Sequence, residues 1–236
     1  MAAMAADHPE NPAPTQRTRI ADADPYDGFP SGFFDRTDAA GDERFYEAPR
    51  LVTHIDNAAV ATVGALYTEL GLCGAESGPV LDVMSSWVSH FTEKPESLTV
   101  LGMNAYELDA NPMADERVAL DLNTDPTPAL PFRDAHFAAA VCCVSVDYLI
   151  RPIEVFREVA RVLQPEAPFV CTFSNRCFPT KAIRGWLGTD DRTHLALVGE
   201  YFRRSGGWGE VHAEQRTPPK WPGDPLYAVW SRRDPA

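Results

Sequence analysis

From Phe45 onward, short apolar runs take turns with segments of helical period, and this alternation restricts the chain more than any other feature. Residues 57–71 place Val60, Val63, Leu66, Tyr67 and Leu70 on one helical face, with Gly71 as the stop. Pro79–Asp82 then reads as a buried strand ending in an acid, Leu98–Leu101 as a second and Glu116–Asp121 as a third, again acid-ended. Ala138–Ser145 is apolar on both faces, as a central parallel strand is. Pro152 opens a helix over 152–163 with Ile153, Phe156, Ala160 and Leu163 inward, and Phe169–Phe173 is the fifth strand. Strands alternating with helices predict an α/β fold, a mostly parallel, doubly wound sheet with helices on both faces. Helices over 179–187 and 190–204 follow, then two strands, 211–216 and 226–230, that add antiparallel pairing at one edge.

The alternation leaves residues 1–42 outside it. Before Pro25 the only branched aliphatic residue is Ile20, so too little apolar surface exists to offset the entropy of ordering, and a mostly disordered, acidic extension is expected ahead of one domain over 43–236. Gly28-Phe-Pro-Ser-Gly-Phe-Phe34 is the exception, since its aromatics would be costly to expose, and packing onto the domain is expected there. The formal charge of −13 offers no basic stripe for nucleic acid and repels anionic membranes. No apolar run is long enough to cross a bilayer, and the opening residues lack the charged and apolar regions of a secretory signal. Five scattered cysteines fit neither a disulfide framework nor a zinc site. A cytoplasmic protein without a metal is the expectation, acting on a small molecule; the oligomeric state is open.

In an open parallel sheet, ligands bind beyond the carboxyl ends of the strands, at the switch in strand order. That singles out Asp82–His90, Gly102–Asn104, Asp121–Asn123 and Cys143–Tyr148. Neither a nucleophile elbow nor a phosphate loop occurs, and the histidines are scattered.

Several segments together resemble the class I S-adenosylmethionine-dependent methyltransferases that act on small molecules. They are Val80-Leu-Asp82, Asp121 ahead of Leu130-Pro-Phe-Arg-Asp134, Phe137 leading the fourth strand, Val155–Pro165 (VFREVARVLQP), and the strand into Phe173-Ser-Asn-Arg176. The resemblance implies a Rossmann-like methyltransferase fold, S-adenosyl-L-methionine as cofactor, and in-line methyl transfer to a small-molecule acceptor. It implies cofactor contacts from Asp82, Met84, Ser85, Ser86 and Trp87, from Gly102, Met103 and Asn104, from Asp121, Leu122 and Asn123, and from Cys143 and Val144. Tyr46 and Ser145 fall on the substrate side, and Asp147, Tyr148 and His54 are the candidate proton acceptors, with His90 beside them.

Two departures bear on that site. After Asp82 the family's alternating glycines are replaced by Val-Met-Ser-Ser-Trp-Val-Ser-His90, a replacement shared with a subgroup of the superfamily that also has Gly102-Met-Asn-Ala after the second strand. The loop is expected to make its ligand contacts through the Ser85 and Ser86 hydroxyls and backbone amides, in place of the close approach that glycines allow. The second strand ends in Gly102 where the family has a ribose-binding acid, and Asn104 is a substitute ligand, the N-cap of a helix, or both. The departures keep a second reading open, a methyltransferase-like protein that binds cofactor or metabolite without methyl transfer. Tyr148 reads equally as a core aromatic, Asp147 as a helix cap, and His54 as a structural partner of Asp56.

Overall fold

The computed structural model describes residues 24–235. Its sheet has seven strands in the order β3-β2-β1-β4-β5-β7-β6: β1 Pro79–Val83, β2 Ser97–Gly102, β3 Glu116–Ala119, β4 Ala139–Cys143, β5 Pro168–Phe173, β6 His212–Gln215 and β7 Tyr227–Arg232. Strands β1–β5 are parallel. The antiparallel pairing expected near one edge is there, with β7 between β5 and β6 and antiparallel to both. Strand β5 is buried along its whole length and β2 all but its first residue, because helices cover both faces; β3, at the other edge, is largely exposed.

The helices are α1 Asp42–Tyr46, α2 Asn57–Glu69, α3 Ala105–Asp109, α4 Pro152–Val162, α5 Arg184–Leu187 and α6 Asp191–Ser205. Asp56 caps α2 by accepting from Ala59 N, and Asp190 caps α6 by accepting from Thr193 N, each satisfying an orphan donor of the first turn. One core lies beneath α4 and α6, around Phe156, Phe169, Tyr201 and Phe202; the other lies beneath α2, around Val63, Leu66, Tyr67 and Val100. The helix expected over 179–187 is confined to α5. Ahead of it, Ile183 is extended and bridges antiparallel to Arg36, which removes it from a helical turn.

That bridge belongs to a docked N-terminal segment. Of the extension expected over 1–42, residues 1–23 lie outside the described residues. Residues 24–42 are folded onto the domain: the packing expected of Gly28–Phe34 is seen, and the disorder expected of the residues on either side of it, 24–27 and 35–42, is corrected. Tyr26, Phe29, Phe33 and Phe34 form one aromatic cluster, and Phe34 reaches Tyr201 of α6 with ring centroids 6.2 Å apart. Gly185 leaves the space that the Phe33 ring fills, and the backbone is pinned by Gly185 N to Phe33 O and Arg184 N to Asp35 O, both 2.8 Å. These four half-buried rings supply the apolar surface that residues further upstream lack.

Candidate active site

The strand order turns at β1 and β4, which are neighbours although two strands lie between them in sequence. Both strands end in a residue that departs from ordinary backbone geometry, Met84 with φ 57° and Val144 with φ 47°. A β-branched valine in the left-handed region is a genuine outlier, and such strain, of order 1–3 kcal/mol, gathers at functional sites. The two ends are tied together by the Ser145 hydroxyl, placed 3.2 Å from Met84 O and 2.9 Å from Cys143 O. Val144 N donates to Thr172 O at 2.8 Å, which holds the turn after β4 against β5.

A cleft of about 1180 Å³, part of it open solvent, lies beyond these ends. Its wall holds Asp82, Met84, Ser85, Ser86 and Trp87 from the β1 turn, Gly102, Met103 and Asn104 after β2, Asp121, Leu122 and Asn123 after β3, and Cys143, Val144, Ser145 and Tyr148 after β4. Tyr46, His54 and His90 also face it. Segments scattered over a hundred residues are thus brought together at one sheet edge. Asp147 is the exception. It is buried away from the cleft wall, where its Oδ2 meets no partner and burial pushes its carboxyl up to about 8. As a group that touches substrate it is corrected. In the 3₁₀ turn Val146–Tyr148, Asp147 and Tyr148 are both buried, but only Tyr148 reaches the cleft, so sequence adjacency does not carry Asp147 there.

Four carboxylates line the cleft. Asp82 is held by the Ser85 hydroxyl at 2.7 Å and the Ser89 hydroxyl at 2.6 Å, both on Oδ2, and burial nevertheless raises it to about 6. Asp121 spends Oδ1 on its own turn, accepting from Asn123 N at 2.8 Å, and burial raises its pKa. Burial also works to raise Asp42, but hydrogen bonds from Arg36, Asn123 and Lys181 outweigh it and hold the carboxyl low. Lys181 is fully buried and sits 3.1 Å from Asp42. The fourth is Glu107, on α3, which the sequence reading did not select. Its Oε1 accepts from Arg50 N and its Oε2 from the Ser86 hydroxyl, each at 2.6 Å. In sequence it sits three residues past Asn104 and reads as an ordinary first-turn acid; what marks it is the cleft, which is a tertiary fact.

The glycine-free loop resolves differently from the expectation. The hydroxyl hydrogens of Ser85 and Ser86 are donated to Asp82 and Glu107, so the hydroxyls order protein carboxylates rather than standing free as ligand donors. Ser85 N donates to Leu101 O at 2.7 Å, laying the loop along the end of β2. The Ser85 carbonyl then abuts Gly102, where a Cβ would overlap it. No side chain fits at Gly102, so an acid cannot occupy the end of β2 in this geometry. The glycine has moved from the loop to the strand it packs against.

Asn104 is committed as a cap, its Oδ1 accepting from Glu107 N at 3.2 Å and its Nδ2 donating to Tyr46 O at 2.7 Å and Glu47 O at 3.2 Å. Both amide hydrogens are therefore spent, and toward the cleft it offers only its Oδ1 as an acceptor. The Asn123 side chain is likewise internal, bonding Asp42, Tyr148 O and Ile150 N. His54 makes no bond to Asp56, which caps α2 instead; its ring packs edge-on to Phe178 at 5.2 Å and burial lowers its pKa. Tyr148 is buried with its ring stacked on Phe178, and its hydroxyl accepts from Phe178 N at 2.9 Å. Among the described residues no cluster of three metal-ligating side chains exists, and no helix is long and apolar enough to cross a membrane.

The fold has counterparts among known proteins. Residues 85–171 match the family model described as a methyltransferase domain. The fold is a Rossmann-like methyltransferase fold. Geranyl diphosphate C-methyltransferase from Streptomyces coelicolor, solved with S-adenosyl-L-homocysteine, matches with a TM-score of 0.52 at 12% identity, over 81% of this chain and 96% of that one. The [4+2]-cyclase SpnF matches with a TM-score of 0.53 at 13% identity, over 82% and 92%. YcgJ from Bacillus subtilis gives 0.51 at 11%, over 77% and 100%. At these identities the likeness is one of methyltransferase fold alone. No curated protein sequence matches the chain.

Proposed function

We propose that the chain is an S-adenosylmethionine-dependent methyltransferase acting on a small molecule, with the cofactor in the cleft beyond β1–β4. The observation that carries this reading is the acidic wall at the switch point. Asp82, Glu107 and Asp121 face one cleft there, beside two strand ends held in left-handed geometry. Such a wall suits a ligand that carries positive charge and several N–H and O–H donors. The residues fit the cofactor in a changed arrangement. Asp121 has an oxygen beyond the one used by its turn, and it faces the cleft to accept from an amino group. Glu107 is the acid within reach of the region that Gly102 leaves without one. The carbonyl ends of Cys143 and Val144 and the backbone of Met84 would orient the ligand's charged end.

When bound, the cofactor supplies a methyl group on a sulfonium, which departs as a neutral thioether as the acceptor's electron pair forms the new bond. The protein's part is positioning, worth up to about 7–11 kcal/mol in well-aligned cases. His54, neutral and unbonded among the described residues, is the group placed to take a proton from an acceptor. Tyr46, on the same wall, is held protonated by burial and by the Asp42 carboxylate, and it serves as a donor.

One observation favours a second reading, cofactor or metabolite binding without methyl transfer. The β1 turn is closed onto Gly102 by the Ser85 carbonyl, and one protein of similar fold is named a [4+2]-cyclase. Titration with S-adenosylhomocysteine, followed by transfer of a labelled methyl group from S-adenosylmethionine to a panel of small acceptors, separates the two. Binding with no transfer to any acceptor selects the second reading.

A further inference from the structure

The main cleft meets a smaller cavity of about 440 Å³, partly open to solvent, lined by His54, Val144, Tyr148, Arg176, Cys177 and Phe178. His54, Val144, Tyr148 and Phe178 line both spaces, so they join at the strained end of β4. Charge is divided between them. Asp42, Asp82, Glu107 and Asp121 line the main cleft; no carboxylate lines the smaller cavity, whose ionic group is Arg176, paired with Asp224 at 2.7 Å and 64% exposed. A second guanidinium, Arg50, stands 5.4 Å from the Phe178 ring at the junction. A cation entering here would lose hydration and find no carboxylate on the lining itself, the nearby Asp224 being engaged by Arg176.

The walls are rings. Tyr148 and Phe178 are stacked at 5.9 Å and 30°, and His54 meets Phe178 edge-on at 5.2 Å and 76°. Stacked and edge-on surfaces together favour a flat unsaturated ligand. Two polar groups are available to it. His54 bonds no described residue, and the Tyr148 hydroxyl accepts from Phe178 N and lies beside the Asp147 carboxyl.

We propose that this smaller cavity is the acceptor subsite and takes a planar aromatic molecule that is neutral or anionic, a phenol or an aryl carboxylate. The assignment rests on reading the main cleft as the cofactor site. Full-length protein is tested with salicylate, benzylamine and cyclohexanecarboxylate by ligand-observed NMR, with and without S-adenosylhomocysteine, whose own binding is measured by calorimetry. Salicylate is expected to bind at least tenfold more tightly than either of the others. Cys177→Trp, which fills the smaller cavity from a position off the main cleft, is expected to weaken salicylate at least fivefold with S-adenosylhomocysteine unchanged. Arg176→Glu puts a carboxylate into the cavity and is expected to reverse the preference for salicylate over benzylamine. Equal binding of the three probes, or salicylate binding that neither variant alters, overturns the proposal. Salicylate binding that responds to both variants in a protein with no affinity for S-adenosylhomocysteine upholds the aromatic subsite and refutes the cofactor reading instead.

Discussion

Replacing Gly102 by alanine tests how the glycine-free loop is built. The added Cβ would overlap the Ser85 carbonyl oxygen and lie 3.2 Å from both Ser85 C and Leu108 Cδ2. Neither side can yield easily. Ser85 N is bonded to Leu101 O at 2.7 Å, and the Gly102 carbonyl accepts from Leu120 N at 2.9 Å, so moving the loop or the strand breaks a backbone bond. Overpacking of this kind costs about 1–3 kcal/mol, and one lost bond adds about 1 kcal/mol. The expected loss is therefore about 2–4 kcal/mol. For a chain of this size that is a fall in Tm of roughly 4–16 °C at about 2–4 °C per kcal/mol. Denaturant unfolding should show a lower midpoint with an unchanged slope, since the surface exposed on unfolding is the same. S-adenosylhomocysteine affinity should fall too, because the displaced loop carries Asp82 and Ser86 with it. A variant within 0.5 kcal/mol of the wild type in this unfolding assay would refute the packing of Ser85 on Gly102 as the reason no acid ends β2.

Further outcomes follow from other contacts. Asp147 is protonated in the folded chain up to about pH 8 and ionises near 3.8 when unfolded, so the folded state holds an extra proton between those values and stability falls as pH rises through that window. Asp147→Asn removes this loss; relative to wild type it should gain roughly 4 kcal/mol between pH 5 and pH 9 at about 1.4 kcal/mol per pH unit, read from Tm at each pH. A constant difference across that range would contradict it. Ser86→Ala takes a hydrogen bond from the Glu107 carboxylate and should cost about 1.5–3 kcal/mol of stability by denaturant unfolding. Phe34→Ala opens the aromatic cluster that docks residues 24–34 onto α6 and should cost about 3 kcal/mol in the same assay; no change would mean that the segment is not docked.

The fold was legible because its signals are local. Strands β1, β2, β4 and β5 are short, mostly apolar runs, α4 has a clean stripe behind Pro152, and α2 and α6 stop at glycines, Gly71 and Gly206, with positive φ. The set of loops that meet at the cleft followed from topology, since a parallel sheet gathers its strand ends at one edge. What each side chain does there was not legible. The partners are non-local: Ser86 bonds Glu107, Asn104 bonds Tyr46 and Glu47, and the Ser85 carbonyl faces Gly102. Sequence could name the departure in the β1 turn but not its compensation, which depends on distances between β1, β2 and the segment ahead of α2. Asp147 shows the same limit from the other side, being one residue from a cleft residue and yet buried behind it.

The account stands most directly on one titration, S-adenosylhomocysteine into the full-length protein by calorimetry, repeated with Asp121→Ala. A cleft built as described should bind with a Kd in the micromolar range, and Asp121→Ala should weaken binding by about 1–3 kcal/mol, roughly 5- to 150-fold, by leaving a buried donor unpaired. Affinity weaker than millimolar for both S-adenosylhomocysteine and S-adenosylmethionine, or binding that Asp121→Ala leaves untouched, would contradict the assignment of this cleft.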